Sequence, residues 1–332
     1  MTANQPFGHS RRGVLALALA TACIALGTTG AQAQAEWPQG SVQFLVPASP
    51  GGGTDAVARI VAEALQQAEG APFVVVNAPG GGGAVAAEQV RNADPDGQTL
   101  LFFHTSLLTA YHTGAYPNNP LEVFTPLAVM SVGGSYALAV PADSPYQSVQ
   151  DLVDAAKAEP EKISLGVQIR GSTHFMGGLL EKDSGAKFRF VEAGSDADKL
   201  VQLQGKQINA ALINTPGTKQ YVETGALRVL GTIAGNPERD PAMPEVASVA
   251  EQGFPSTIFG FDFLVLGPRD MDPALVTTIH DAVGAALGNQ AVADQLNKMG
   301  MPVTPLTEAD MTRQLTDADA RIGETATALG LN

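Results

Sequence analysis

Residues 42–55 read Val-Gln-Phe-Leu-Val-Pro-Ala-Ser-Pro-Gly-Gly-Gly-Thr-Asp. The apolar run 42–46 predicts a strand, and apolar residues at helical spacing predict a helix from about Thr54 to Ala68. A glycine-rich turn between a strand and a helix leaves backbone N–H groups free at the positive end of the helix, where they can bind an anion. The candidate ligand-binding residues of this turn are Ser49, Gly51, Gly52, Gly53, Thr54 and Asp55. For Asp55, a simple role opposite the helix dipole is the alternative.

A second turn of the same kind follows directly. Residues 73–77 predict a strand, residues 79–83 are rich in glycine, and a helix is predicted after them. Gly81 and Gly82 join the candidate binding residues. Both turns also fit a purely structural role as tight connections, but two adjacent turns of this kind favour anion binding.

The chain begins with a predicted export signal. Arg11-Arg12 precedes an apolar run that ends near Gly27, and small residues typical of a cleavage site follow up to Ala35. The run is shorter than the roughly 20 residues of a membrane span, so we predict that residues 1–35 are a signal peptide that is removed on export to the periplasm. A twin-arginine signal and an ordinary Sec signal both fit. Lipidation at Cys23 is a further, weaker alternative.

The composition excludes several functions. Loss of Arg11 and Arg12 with the leader reduces the 19 basic residues to 17 against 33 acidic ones, so the formal charge changes from −14 to −16. Such an acidic chain is unsuited to nucleic acid. Cys23 is its one cysteine, so the mature chain is expected to have no disulfide. We expect no metal site and no cofactor, because neither zinc-ligand spacing nor a nucleotide-binding fingerprint is present.

Strand and helix patterns alternate through most of the chain, which predicts an α/β fold with mainly parallel sheets. The layout predicts two lobes: residues 36–137 with 260–332, and residues 138–259. Two crossing segments would form a hinge, and a ligand would bind in the cleft between the lobes, at the carboxyl ends of the strands.

Several further segments follow one another in a characteristic order: Trp37-Pro38 before the first strand, the turns at 47–55 and 77–83, Asp-Pro-Asp-Gly-Gln-Thr-Leu-Leu at 94–101, Leu-Arg-Val-Leu at 227–230, and the segments 244–246 and 251–255. In these segments the chain resembles the periplasmic solute-binding proteins of tripartite tricarboxylate transporters, the Bug-type receptors. The resemblance covers nearly all of the mature chain.

The resemblance implies a two-lobed, Venus-flytrap fold of the type II-like class and a receptor without catalytic activity. It also implies that the two glycine turns hold one carboxylate of a small organic acid and that membrane permease subunits are the partners. We expect a monomer. Thr105 and Ser106 correspond to residues at the end of the family's third strand and are candidate donors. His104 replaces a glycine there and is either a cleft residue or a packed histidine.

The predicted second lobe departs from the family pattern. Gly166, Gly171 and His174 keep their places in a family loop. Ser172, Thr173 and His174 are candidate binding residues, and Ser172 is predicted to cap the next helix. Gln168 and Arg170 replace small residues of that loop. Our hypothesis is that Arg170 binds a second carboxylate of the ligand with its planar guanidinium. A solvent-exposed Arg170 is the alternative.

Two more positions bear on the ligand. Glu192 stands where the family has a turn with tyrosine and lysine, so a carboxylate ligand with an amine or hydroxyl group is an alternative to the usual dicarboxylate. A linear dicarboxylate, a hydroxy or aromatic acid and a pyridine carboxylate all remain open as ligands. A solvated Glu192 is the alternative. Asn214, at the end of a predicted strand, is a candidate contact because its amide can donate and accept.

Two other functions remain open on the sequence alone. The first is a receptor that signals to a membrane sensor kinase, and the second is an enzyme acting on a small carboxylate. The latter lacks support from motifs, since no nucleophile elbow or phosphate-binding loop with lysine is present.

Overall fold

Two β-sheets organise the chain in the computed structural model, which describes residues 1–3, 37–299 and 301–331. The predicted signal peptide, with Arg11-Arg12 and Cys23, lies almost wholly outside these residues. The strands are β1 (Val42–Val46), β2 (Phe73–Asn77), β3 (Thr99–His104), β4 (Phe124–Gly134), β5 (Tyr136–Pro141), β6 (Ser164–Val167), β7 (Arg189–Glu192), β8 (Ala210–Asn214), β9 (Leu227–Ile233), β10 (Phe261–Pro268) and β11 (Thr304–Pro305).

Helices connect and cover the strands. They are α1 (Gly53–Glu69), α2 (Ala84–Arg91), α3 (Ser106–His112), α4 (Pro120–Val123), α5 (Val149–Ala158), α6 (Ser172–Ser184), α7 (Asp196–Gln204), α8 (Thr215–Glu223), α9 (Pro273–Leu287), α10 (Gln290–Lys298) and α11 (Glu308–Leu329). A 3₁₀ turn at Gly81–Gly83 precedes α2. The predicted α/β class is confirmed.

The first sheet has the order β11-β4-β10-β3-β1-β2, and the second has the order β7-β6-β8-β5-β9. In each sheet one group of three strands is parallel, β2-β1-β3 and β7-β6-β8. The pairings of β4, β5, β10 and β11 are antiparallel. The prediction of mainly parallel sheets is therefore wrong, because the strands next to the crossings between sheets run against their neighbours.

The chain crosses between the sheets at two places. Ser135 alone separates β4 of the first sheet from β5 of the second, and residues 234–260 lead from β9 back to β10. These crossings lie close to the predicted lobe boundaries near residues 137 and 260. Both sheets belong to one compact unit that extends from Glu36 to Asn332, so the division into two lobes stays a prediction.

Strand β4 was not predicted from the sequence. It contains Pro126, which normally argues against a central strand because proline lacks an N–H donor. Pro126 pairs with Leu266 where the register with β10 shifts, between Val265 and Leu266. The irregularity accommodates the proline, and it was not visible in the sequence.

Burial of one helix face fixes α1 on the first sheet. Its buried residues include Val57, Val61 and Leu65, at the spacing of one helical face, and α1 packs against β2 and α9. Each such side chain contributes about 1.5–3 kcal/mol when fully buried. This packing holds the first turn of α1 at the carboxyl end of β1, beside the end of β3.

Candidate functional site

A cavity of about 470 Å³ lies where the carboxyl ends of strands from both sheets meet. On its first side are loops and strand ends of the first sheet: Pro47, Ala48, Ser49, Gly52, Gly53, Thr54, Pro79, Gly80, Gly81, Gly82, Phe103, His104, Ser106 and Ala115. On its second side are Tyr136, Gln168, Ile169, Ser172, Thr173, Glu192, Gly194, Ser195, Asp196, Asp198, Lys199 and Asn214. A small metabolite fits a space of this size.

The first turn of α1 offers backbone donors to the cavity. Gly52 is the N-cap residue, and no side chain caps the helix. The first N–H groups of a helix have no acceptor within the helix, so those of Gly53 and Thr54 need an outside partner. Together with the helix dipole they attract negative charge at this point.

Asp55 stabilises this turn from outside the cavity. Its carboxylate accepts hydrogen bonds from the Gly51 N–H at 2.9 Å and from Asn77 Nδ2 at 2.8 Å, and it forms an ion pair with Arg59. Burial raises the pKa of Asp55, but the hydrogen bonds from Arg59, Gly51 and Asn77 outweigh it and leave the pKa below its usual value. A carboxylate with these partners holds the loop in shape.

The second glycine turn has a backbone that only glycine adopts easily. Gly80, Gly81, Gly82 and Gly83 all have positive φ, between 58° and 126°. A Cβ on Gly83 would lie 2.6 Å from the Phe103 ring, closer than real atoms approach. No side chain caps α2. This turn therefore brings a second set of uncapped backbone groups to the same side of the cavity as α1.

His104 is the last residue of β3, and its imidazole ring is neutral. Its Nδ1 accepts the Ser106 N–H at 3.3 Å, and its ring centroid lies 4.0 Å from that of Phe103 and 5.0 Å from that of Phe261. Burial lowers the pKa of His104 to about 3. With Nδ1 as the acceptor, the proton resides on Nε2, which has no protein partner among the described residues.

Direct contacts join the two sides of the cavity. The Ser172 hydroxyl donates to the Ser106 hydroxyl, and Tyr136 lines the cavity with them. Burial raises the pKa of Tyr136, so this phenol stays neutral. The prediction that Ser172 caps α6 is wrong: the N-cap is Gly171, and the Ser172 side chain crosses to Ser106 instead.

Lys199 is a cationic side chain in the cavity wall that was not predicted from the sequence. Its side chain is 3% exposed. Nζ lies 3.2 Å from Asp196 Oδ1 and donates to the Leu212 carbonyl at 3.0 Å. The carboxylate of Asp196 also accepts the Asn214 N–H at 3.1 Å. This network ties the start of α7 to the end of β8.

Two further carboxylates stand at the same wall. Glu192 accepts the N–H groups of Ile169 at 2.8 Å and Gly194 at 3.0 Å. Asp198 accepts the N–H and the hydroxyl of Ser195, which completes a capping box on α7. Unlike α1 and α2, helix α7 is therefore capped by its own side chains.

Most of the chain matches a known family. Residues 57–331 match the model of the tripartite tricarboxylate transporter family receptor. The chain belongs to this receptor family. It is 28% identical over 304 residues to the protein BugT of Bordetella pertussis, an alignment that covers 90% of this chain and 91% of BugT.

Solved structures agree with this assignment. A Rhodopseudomonas palustris protein with adipate has a TM-score of 0.80 and 27% identity, covering 89% of this chain and 99% of that one. The periplasmic binding protein BugD also has a TM-score of 0.80, at 23% identity, covering 89% and 99%. The two-sheet fold of the receptor is thus the periplasmic-binding-protein fold expected from the sequence.

The receptor structure brings most predicted binding residues to one cavity. Those that line it are Ser49, Gly52, Gly53, Thr54, Gly81, Gly82, Ser106, Gln168, Ser172, Thr173 and Asn214. Two of them also bond to each other, because the Gln168 N–H donates to the Thr173 hydroxyl at 2.8 Å.

Five predicted residues do not line the cavity: Gly51, Asp55, Thr105, Arg170 and His174. The Thr105 hydroxyl accepts the Asp262 N–H at 3.3 Å. The carbonyl of Arg170 accepts from the Thr113 hydroxyl, and its guanidinium faces Gly114. His174 Nδ1 accepts the Arg170 N–H at 3.1 Å, and the His174 ring packs on Phe190. Their positions therefore correspond to support of the loops, and the carboxylate clamp by Arg170 stays a prediction.

Tyr136, Asp196, Asp198 and Lys199 were not predicted, although they line the receptor's cavity. One local signal existed: Ser195 followed three residues later by Asp198 is a capping-box pattern that places a helix start after β7. Since β7 is parallel to β6, this start lies at the same sheet edge as the loop after β6.

Two kinds of feature are absent from the residues that the structure describes. No group of three or more metal-ligating side chains is placed to hold a metal ion in the described part of the chain. Among the same residues, no helix is both long enough and apolar enough to cross a membrane.

Proposed function

We propose that this receptor captures one small carboxylate in the cavity between the two sheets, with the carboxylate at the first turn of α1 and the glycine turn that precedes α2. One observation carries the proposal: the start of α1 and the 3₁₀ turn Gly81–Gly83 both lack a side-chain cap, and Gly53, Thr54, Gly81 and Gly82 line the same cavity. Uncapped N–H groups bind a carboxylate with charge-assisted hydrogen bonds.

Charge on the first side of the cavity supports this position for the anion. The lining residues of that side carry no acidic side chain, and the nearby Asp55 carboxylate is neutralised by Arg59. The Nε2–H of the neutral His104 ring adds one donor that holds its proton at all physiological pH values. The adipate held by the Rhodopseudomonas palustris neighbour is a carboxylate ligand of the same chemical class.

A change at Gly53 tests the proposed position. Gly53→Asp places a carboxylate in the first turn of α1, where it favours the helix but repels the ligand anion. We expect the affinity for a cognate acid to fall by about 100-fold while the melting temperature stays within a few degrees. Titration calorimetry measures the affinity after a thermal-shift screen of organic acids has found a ligand.

The matched control is Gly40→Asp, which adds the same charge at an exposed glycine where no atom lies within 4 Å of the position that a Cβ would take. Unchanged affinity in Gly53→Asp would contradict the proposal.

The receptor's cellular role follows from its family. We propose that the protein is exported to the periplasm, acts as a monomer and delivers its ligand to membrane permease subunits, without catalysing a reaction. Export with cleavage near Ala35 is checked by N-terminal sequencing of the periplasmic protein, and the monomer by light scattering. Loss of uptake of the bound acid on deleting the receptor gene checks delivery. Turnover of the ligand by the purified protein would contradict the non-catalytic role.

A further inference from the structure

The charged side chains of the cavity are confined to its second side. Among the described lining residues these are Glu192, Asp196, Asp198 and Lys199, three carboxylates and one ammonium. The first side presents backbone donors, hydroxyls and the neutral His104. The cavity therefore has a donor-rich end for an anion and an opposite wall with a formal charge of about −2.

The ammonium of Lys199 is not available to bind a negatively charged group of a ligand. Its ammonium is already paired with Asp196 and bonded to the Leu212 carbonyl. Glu192 and Asp198 have backbone N–H groups and the Ser195 hydroxyl as partners, and neither forms an ion pair within the described residues. Their charges are thus balanced by dipoles alone, and they remain attractive to a cation.

An unpaired acceptor stands beside these carboxylates. Asn214 is 6% exposed and lines the cavity, and its Oδ1 has no hydrogen-bond partner among the described residues. Its N–H donates to Asp196, and its Oδ1 lies next to Gly53 in the first turn of α1. A buried acceptor without a donor is costly, so a donor on the ligand would stabilise this point.

On the basis of the proposed function, we infer that the ligand is zwitterionic: its carboxylate occupies the glycine turns and a protonated amine faces Asp196, Asp198 and Asn214. The second carboxylate of a diacid would instead meet three carboxylates and one occupied lysine. Asn214 is adjacent both to the α1 turn, where the carboxylate is proposed to bind, and to Asp196, where the amine is proposed to bind. The two charged groups of the ligand are therefore expected to be close together, as they are in a short amino acid.

Ligands of equal length separate these classes. The main probes are 4-aminobutanoate and glutarate, which differ by an ammonium in place of a carboxylate. In 2-aminobutanoate the amine lies closer to the carboxylate, and butanoate has neither an amine nor a second carboxylate. We expect at least one amino acid to bind about 10-fold or more tightly than glutarate and butanoate in titration calorimetry. Equal or tighter binding of glutarate overturns the inference while leaving the carboxylate receptor intact. Failure of every carboxylate in a wider screen overturns the proposed function and, with it, this inference.

A double variant tests the wall itself. Glu192→Gln with Asp198→Asn removes two negative charges, keeps an oxygen acceptor for the capping box and keeps one of the two oxygens with which Glu192 accepts loop N–H groups. We expect affinity for the amino acid to fall by about 10-fold and the preference over glutarate to shrink or reverse. Glu63→Gln with Asp94→Asn makes the same charge change at exposed positions outside the cavity lining. Equal effects of both pairs, or an unchanged preference in the first pair, overturn the inference.

Discussion

The two sides of the cavity differ in the groups that they expose: backbone groups on the first side and charged side chains on the second. On the first side, glycine turns and uncapped helix starts present the backbone. On the second side, α7 is capped by its own Ser195 and Asp198, and side-chain charges line the wall. A backbone site binds any carboxylate of the right size, whereas a side-chain wall distinguishes what is attached to it. In our proposal, the general anion site therefore lies on the first sheet and the choice of ligand depends on the second.

On the first side of the cavity, the glycine turns should make stability sensitive to an added methyl group. Gly83→Ala forces a Cβ against Phe103 at a residue whose φ is +102°. We expect the free energy of unfolding to fall by about 3 kcal/mol, from the positive φ and the overlap together. Urea unfolding measures it. Gly40→Ala, which has open space and no positive φ, should change stability by less than about 0.5 kcal/mol. A loss under about 1 kcal/mol for Gly83→Ala would mean that the second turn adapts easily.

On the second side of the cavity, stability should depend on the ion pair between Lys199 and Asp196. Lys199→Met leaves Asp196 without its ammonium partner and the Leu212 carbonyl without a donor. Because the Asp196 side chain is about one quarter exposed, we expect a loss of about 2 kcal/mol, less than for a fully buried pair. Adding Asp196→Asn should recover part of the loss, since the unpaired charge is then gone. A double-mutant cycle in urea checks this, and strict additivity of the two changes would exclude the coupling.

His104, on the first side of the cavity, predicts a pH dependence. Its folded pKa, about 3, lies below the ordinary value of 6.5 because the ring is buried. The unfolded chain therefore binds the proton first, so stability is full above about pH 6.5 and falls as the pH decreases toward 3. The contribution of this group has a slope of up to about 1.4 kcal/mol per pH unit.

His104→Gln removes this titration and should flatten the stability profile between about pH 4.5 and 6.5. Chemical unfolding at several pH values, with His280→Gln as the control at a histidine outside the cavity lining, measures the difference. Parallel profiles for the original protein and His104→Gln would show that the ring is hydrated.

Local patterns were enough to predict the first side. The turn at residues 47–55 joins a strand to a helix within one short segment, so its geometry follows from residues that are neighbours in the chain. The same holds for the turn at 79–83. Even here the pattern did not separate Gly53, which lines the cavity, from Asp55, whose carboxylate faces Arg59 and Asn77 instead.

The second side depended on contacts between distant parts of the chain. Ser172 was predicted as a cap but reaches Ser106, and Arg170 was predicted in the cleft but contacts the segment of Thr113 and Gly114. Lys199 enters the wall because α7 packs on β8, where the Leu212 carbonyl accepts a hydrogen bond from its ammonium group. None of these partners is near in sequence, so propensity and spacing could not identify them.

The sequence by itself determined the α/β class, the family and the two glycine turns. The class and the family follow from the order of segments along the chain, and each turn arises from residues that are neighbours in sequence. Only the tertiary structure decided the mixed strand directions, the place of β4 and the partners of Lys199. These features depend on which strands are neighbours, and that is determined by the packing of the whole chain. Packing also has to pair each buried charge, because an unpaired charge in the interior is costly.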